Sequence, residues 1–299
     1  NGALVMTSAP YFGNSEIWKM FYNRCTKQLI GFGGGASDIN NMQIIADTNL
    51  SGSTVKNFNG SVTAFNDIAD AKMDYNGDFY AFISAWPFTG NINRNRMQKS
   101  LLASSYNPPP DWDVVSGYDY SEEGNTGFPN LSYPSGPLVS VRANMLALNS
   151  SYLFSYDGKT IKAWNKANGS VYDTIIVSAG YNAGLARNHE GIAVDECNNV
   201  FVGGTNMVHW YFFTGVSFIP QGTITTDING EVYDLKLDPS AGLLYSTGPD
   251  FLTVSSVPPC PSNQLQLTTN SGGCAGTASV SVTGGSPPYT YLWSTGATT

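Results

Sequence analysis

The sequence predicts an all-β protein: a β-propeller of about five four-stranded blades, with room for a sixth, over residues 1–257, followed by a smaller β module over residues 258–299. Three observations carry this. An apolar-alternating strand, a polar turn and a second strand ending in small residues recur along the chain. Charged residues are only 12% of the 299 residues, while aromatics reach 13% and glycine is abundant, as in a rigid, turn-rich extracellular β protein. No stretch carries the 3.6-residue periodicity of a convincing amphipathic helix.

The repeat begins as IWKMFYNRCTKQLIGFGGG at Ile17 and returns as IADAKMDYNGDFYAFISA at Ile68. It recurs as NMLALNSSYLFSYDG from Asn144, GIAVDECNNVFVGG from Gly191 and VYDLKLDPSAGLLYSTG from Val232. Outer strands follow most copies, for example TIKAWNKANGSVYDTIIV after the third, so each copy reads as a four-stranded antiparallel sheet. One such sheet cannot bury both faces, and packing several round an axis solves that. The spacing of roughly 40 to 75 residues fits ~40–50 per blade plus insertions. A large β-sandwich or β-helix is the alternative. The opening ALVMTSA is expected to pair beside DFLTVSSV, closing the ring and hiding two sheet edges. Pro258-Pro259 in SVPPCPSN then ends the last strand, and the repeat's turn pattern stops.

Composition narrows the function. The net charge is −8 with no basic patch, which argues against a nucleic-acid partner. No apolar run approaches the ~18 residues of a membrane helix. The chain opens on Asn1 rather than Met, which reads as a processed N-terminus.

The motifs with possible chemistry resolve mostly into structure. GFGGG at Gly31–Gly35 lacks the following helix and the GK[ST] of a phosphate loop, and reads as a strand and its turn. DYNGDF places Asp74, Asn76 and Asp78 at calcium-loop spacing, but Ala85 stands where the bidentate glutamate belongs. The same position carries DECNN and DPSAG in other copies, so the acid reads as part of a repeated turn. SYDGKTIKAW resembles a sialidase Asp-box, itself a structural turn of propeller blades, with Gly158 directly after Asp157. His189 and His209 are too few for a three-histidine zinc site, and no cysteine pair has zinc spacing. No metal and no cofactor is expected. Glu122 and Glu123 are adjacent, so on an extended chain they point opposite ways and one reaction rarely uses both, and a solvated loop is the better reading.

The insertion over residues 86–135 gathers aromatics beside Asn and Asp, and Trp86, Trp112, Tyr118 and Tyr120 are the candidate ligand contacts. Such a platform suits carbohydrate or peptide, and equally suits a loop packing on its own blade.

The segment CPSNQLQLTTNSGGCAGTASVSVTGGSPPYTYLWSTGATT resembles the SprB-type repeat of gliding bacteria, a PKD/immunoglobulin-like β-sandwich module. Gly276, Ala278, Val280, Val282, Gly284, Gly285, Pro288, Tyr289, Tyr291, Trp293 and Gly296 carry the likeness. Such repeats stand in tandem in very large cell-surface adhesins. The resemblance therefore implies an extracellular, surface-displayed protein exported by the type IX route, with a role in adhesion or gliding. It implies contact with polysaccharide, protein or a solid surface, and with secretion or surface-assembly proteins, but no catalytic residue. A sandwich module needs ~7 strands and residues 260–299 supply about three, so a longer protein is expected. Within the module Trp293 suits the core, and Cys260 and Cys274, 14 positions apart, would close a loop worth roughly 3 kcal/mol if bonded. Cys25 and Cys197 occupy equivalent turns of the first and fourth copies, which are not adjacent in a five-bladed ring. They are expected not to bond unless a loop folds inward.

Two functions follow as expectations. One is a non-catalytic binding and display module of a giant adhesin. The other is a secreted polysaccharide lyase or glycoside hydrolase built on the 86–135 insertion, with Asp111, Asp113, Glu122 and Glu123 as its acids.

Overall fold

The computed structural model describes residues 16–23, 26–35, 38–46, 53–57, 66–85, 96–106, 110–118, 144–177, 191–226, 230, 232, 234–239, 241–248, 251–258, 266–271, 278–283, 291, 293 and 298. The chain divides into two compact units, Asn1–Val257 and Pro258–Thr299.

The first unit is a β-propeller. Its first sheet is β1 (Glu16–Asn23), β2 (Gln28–Gly35), β3 (Asp38–Ala46) and β4 (Ser53–Asn57). The second is β5 (Asn66–Met73), β6 (Phe79–Ala85), β7 (Arg96–Ser100) and β8 (Trp112–Val115). The third is β9 (Leu146–Leu148), β10 (Tyr152–Tyr156), β11 (Thr160–Asn165) and β12 (Val171–Ile176). The fourth is β13 (Ile192–Val194), β14 (Asn199–Gly203), β15 (Met207–Phe213) and β16 (Phe218–Thr225). In the fifth, β17 (Asp234–Asp238), β18 (Leu243–Thr247) and β19 (Leu252–Ser256) are described. Every sheet is an antiparallel meander in chain order. The expected closing strand at residues 3–9 lies outside the described residues. Among the described residues the only helical element is a three-residue 3-10 turn, Leu102–Ser104.

The two-residue period of the strands explains why the sheets stack face to face round a ring. Along β6, Phe79, Ala81 and Ile83 pack with Ile30 of the first sheet. The intervening Tyr80 and Phe82 pack with Leu146, Leu153 and Trp164 of the third. β14 repeats this: Val200 and Val202 join Phe154 and Ile161 of the third sheet, while Phe201 joins Leu235 and Leu244 of the fifth. The second, third and fourth sheets are thus buried on both faces by their neighbours, and each fully buried large side chain contributes about 1.5–3 kcal/mol. Edge-to-face aromatic contacts add to this between the third and fourth sheets, with Phe213 5.0 Å from Tyr152 and 5.6 Å from Phe154.

The first strands β5, β9, β13 and β17 pack beside one another in succession. Polar side chains tie them. Asp70 accepts Ala71 N at 2.7 Å and Leu146 N at 2.8 Å, joining the second sheet to the third. Lys72 Nζ donates to Asn144 Oδ1 at 2.9 Å, and Asn144 Nδ2 donates to Asp234 of the fifth sheet. The small residues that end each copy have a reason: a Cβ on Gly203 would lie 2.7 Å from the carbonyl oxygen of Val232. Only glycine lets the fourth and fifth sheets approach so closely.

One core position breaks the pattern. Gln98 on β7 is fully buried, and neither its Nε2 nor its Oε1 has a hydrogen-bond partner. Replacing Gln98 with methionine keeps the length and removes both polar atoms, so the melting temperature should rise, by about 1 kcal/mol of stability. A fall would show that both atoms are satisfied in solution by water.

In the second unit β20 (Gln266–Ser271) pairs antiparallel with β21 (Ala278–Thr283), Leu267 opposite Val282. β21 carries the alternation of Ala278, Val280 and Val282. Of the following aromatic stretch Tyr291 and Trp293 are described; both are half-buried and neither lies in a strand.

Candidate functional site

The first hairpin of every propeller sheet opens on an Asn or Asp whose side-chain oxygen accepts turn N–H groups. Asn23 Oδ1 accepts Thr26 N at 3.3 Å. Asp74 Oδ1 accepts Asn76 N and Asp78 N, both at 3.0 Å. Asn149 Oδ1 accepts Ser151 N at 3.0 Å and Tyr152 N at 2.8 Å. Asp195 Oδ1 accepts Cys197 N at 2.9 Å and Asn199 N at 2.8 Å, and Asp238 Oδ1 accepts Ala241 N at 3.0 Å. The side chain imitates a backbone acceptor and holds the turn. The acids of DYNGDF therefore serve the turn, as their repetition in sequence indicates.

Neighbouring turns are then wired together. Asn23 Nδ2 donates to Tyr106 Oη at 2.7 Å, and that hydroxyl donates to Gly77 O at 2.7 Å. Lys166 Nζ lies 3.4 Å from Asp74 and donates to Asn149 O at 3.2 Å. Asn149 Nδ2 donates to Asp195 O at 3.0 Å, and Ser150 N donates to Glu196 Oε2 at 3.0 Å. Burial first, and then the nearby Asp74, push the Tyr80 hydroxyl well above the ordinary phenol range. Burial likewise raises Tyr106 to about 12. Burial pushes the Asp195 carboxyl up, while its donors from Asn199 and Cys197 pull it back. These hydroxyls stay protonated and act as donors.

The first four of these turns enclose a cavity of about 350 Å³. Phe21, Met73 and Leu148 supply apolar wall, and Asp74, Asn149 and Glu196 supply polar groups. Two aromatic rings stand at it in the open: Tyr75 is 81% exposed and Tyr22 47% exposed. Exposed rings beside carboxylate and amide oxygens suit stacking on a sugar face, with hydrogen bonds to its hydroxyls. Among the described residues no group of three His, Cys, Asp or Glu is placed to hold a metal.

The sequence-predicted contacts lie elsewhere. Trp112 is buried, its Nε1 donating to Lys166 O at 3.1 Å and its ring filling the space a Cβ would occupy on Gly169. Tyr118 is 1% exposed. Its hydroxyl lies 2.7 Å from Ser155 Oγ, which also accepts Trp164 Nε1 at 2.7 Å. Lys162 Nζ sits 4.2 Å over the Tyr118 ring. Both aromatics thus fasten the end of the second sheet onto the third, and neither offers a ring face to a ligand. Trp86, Tyr120, Glu122 and Glu123 lie outside the described residues, as do Cys25, Cys260, Cys274 and His189. Asp113 is paired with Arg96 at 2.7 Å, and Asp111 lies 3.5 Å from Lys99. Gly31–Gly35 continue strand β2, and the next described element is strand β3. Asp157 accepts Lys159 N at 3.0 Å and Thr160 N at 2.6 Å, so it too holds a turn. Cys197 is disulfide-bonded. No helix among the described residues is long and apolar enough to cross a membrane.

Tyr22 and Tyr75 were not singled out by sequence reasoning. Their signal was an aromatic beside the polar turn of a copy: Tyr75 stands inside DYNGD, and Tyr22 is the next-to-last residue of β1, just before Asn23.

Residues 271–298 match the SprB repeat family. That repeat points to a cell-surface, adhesin-type protein. Among curated proteins no match is found. Among solved structures, a chain of the mitotic checkpoint complex is 14% identical with a TM-score of 0.52. The alignment covers 81% of this chain and 61% of that one, so this chain spans less than two thirds of its length. The likeness is one of fold. BamB from Moraxella catarrhalis is 10% identical with a TM-score of 0.46, over 76% of this chain and 54% of that one.

Proposed function

We propose that this chain is a non-catalytic binding and display module of a giant secreted cell-surface adhesin, serving surface adhesion or gliding motility, and that the cavity at the first-hairpin turns is its point of contact. The observation that carries the reading is the SprB repeat at residues 271–298 on the same chain as a propeller. Export by the type IX route and assembly beside other surface proteins follow from that repeat. The ligand is an extracellular polysaccharide, a protein or a solid surface presenting such groups. Tyr22 and Tyr75 stack on it, while the wired turns beneath keep them from rearranging.

A glycan array probed with the whole chain tests this. Tyr22→Ala and Tyr75→Ala should each weaken capture about tenfold, the loss of roughly 1.4 kcal/mol of ring contact. If both variants bind as well as the unaltered protein while Trp86→Ala or Tyr120→Ala abolishes capture, the contact lies in the insertion and the cavity reading is wrong.

A further inference from the structure

Cys197 is buried, 3% exposed, and is in a disulfide. Three other cysteines exist, Cys25, Cys260 and Cys274. Cys197 sits in the turn between β13 and β14, where its N–H is held by Asp195 Oδ1 at 2.9 Å. The residue before it, Glu196, lines the cavity described above. Asn23, in the turn between β1 and β2, lines the same cavity. Thr26 N closes back on Asn23 Oδ1 at 3.3 Å, and Cys25 stands between those two residues in the sequence. The first and fourth sheets are not neighbours in chain order, yet their first-hairpin turns both line one cavity. Residues advance at most roughly 3.3–3.6 Å each, so Cys25 is held by the chain close to Asn23, and Cys197 close to Glu196. A disulfide needs Cα atoms about 4.4–6.8 Å apart, and of the three possible partners of Cys197 only Cys25 neighbours, in sequence, a residue lining the same cavity. Cys260 and Cys274 belong to the other compact unit.

We infer that Cys197 is bonded to Cys25, a covalent staple across the mouth of the propeller that joins the first sheet to the fourth, and that Cys260 and Cys274 are left to each other. Forming it oxidises two thiols to one disulfide. Two electrons and two protons pass to a disulfide-carrying oxidant of the exchange class, which becomes a dithiol. The bond spans the second and third sheets within a loop of 172 residues (197 − 25). It limits how far the ring can open on the side where Tyr22 and Tyr75 stand.

Trypsin makes the test clean. Under non-reducing conditions, cuts after Arg24, Lys27, Arg187 and Lys236 place Cys25 in residues 25–27, Cys197 in 188–236, and both Cys260 and Cys274 in 237–299. Mass spectrometry of protein never exposed to reductant should find 25–27 joined to 188–236, and 237–299 alone and two hydrogens light. Residues 188–236 joined to 237–299, or a free thiol on Cys197, would overturn the assignment. As a second readout, Cys25→Ser should melt lower by about 10 °C and, once denatured without reductant, show one maleimide-reactive thiol, at Cys197. A Cys25→Ser protein with an unchanged melting point and no new thiol would equally exclude the bond.

Discussion

Asp70→Ala is expected to cost about 4 kcal/mol, and to lower the melting temperature by about 12 °C at ~3 °C per kcal/mol for a ring of this size. Asp70 is fully buried between the second and third sheets. Each of its two oxygens takes a backbone N–H, from Ala71 and Leu146, and both of those residues are 0% exposed. Alanine leaves two donors in an apolar wall with no water to replace the acceptor, at roughly 1–3 kcal/mol each. Asparagine does not rescue it, because one of its two polar atoms is a donor and must face one of the two N–H groups. The comparison is Asp113→Ala, whose partner Arg96 is partly exposed and whose loss should stay within about 1 kcal/mol. Equal effects at the two positions would mean that Asp70 is not the joint between the sheets.

The second large effect is at the turn beside the cavity. Asp195 accepts Cys197 N, Asn199 N and Asn199 Nδ2, the last at 2.7 Å. Asn199 cannot turn its amide round, because its Oδ1 already takes Trp210 Nε1 at 3.1 Å. Asp195→Asn therefore sets two NH₂ groups against each other and should cost about 2 kcal/mol, with Asp195→Ala costing about 4. The geometry also specifies a repair. Asp195→Asn combined with Asn199→Asp exchanges donor and acceptor and leaves every other bond of the turn intact, so most of the lost stability should return. Denaturant unfolding of the single and double variants reads this directly. If the double variant is no better than the sum of the singles, the orientation of the Asn199 amide is wrong.

These two positions show what was legible in the sequence. The turn acid was visible because it recurs, in DYNGDF, DECNN and DPSAG, at one place in each copy. The inner strands were visible because runs such as Phe79–Ile83 are buried on both faces and so read as nearly continuous apolar sequence. Asp70 was not visible. It stands where the register shifts between Ile68 and Asp70, and its partner Leu146 is 76 residues away. Trp112 and Tyr118 could have been read better. Trp112, Val114, Ser116 and Tyr118 sit at even spacing, and three of the four are buried while Gly117 and Val115 are exposed. That two-residue period is the mark of a strand laid on a neighbour, but it runs for only these few residues among many turn formers, where a strand and a loop read alike. The cavity had no linear signal, because it is made by four turns that are distant in the chain and that only the ring brings together.

The central claim is that the propeller binds and does not convert. The measurement that addresses it most directly takes a glycan captured on the array and titrates it with the whole chain by calorimetry. The recovered sugar is then analysed by mass spectrometry after prolonged incubation at high protein concentration. The account predicts saturable binding, weakened about tenfold by Tyr75→Ala, with the sugar recovered at its starting mass. A shortened or unsaturated sugar product that disappears in Glu123→Gln would contradict it, and would make the chain a polysaccharide-cleaving enzyme.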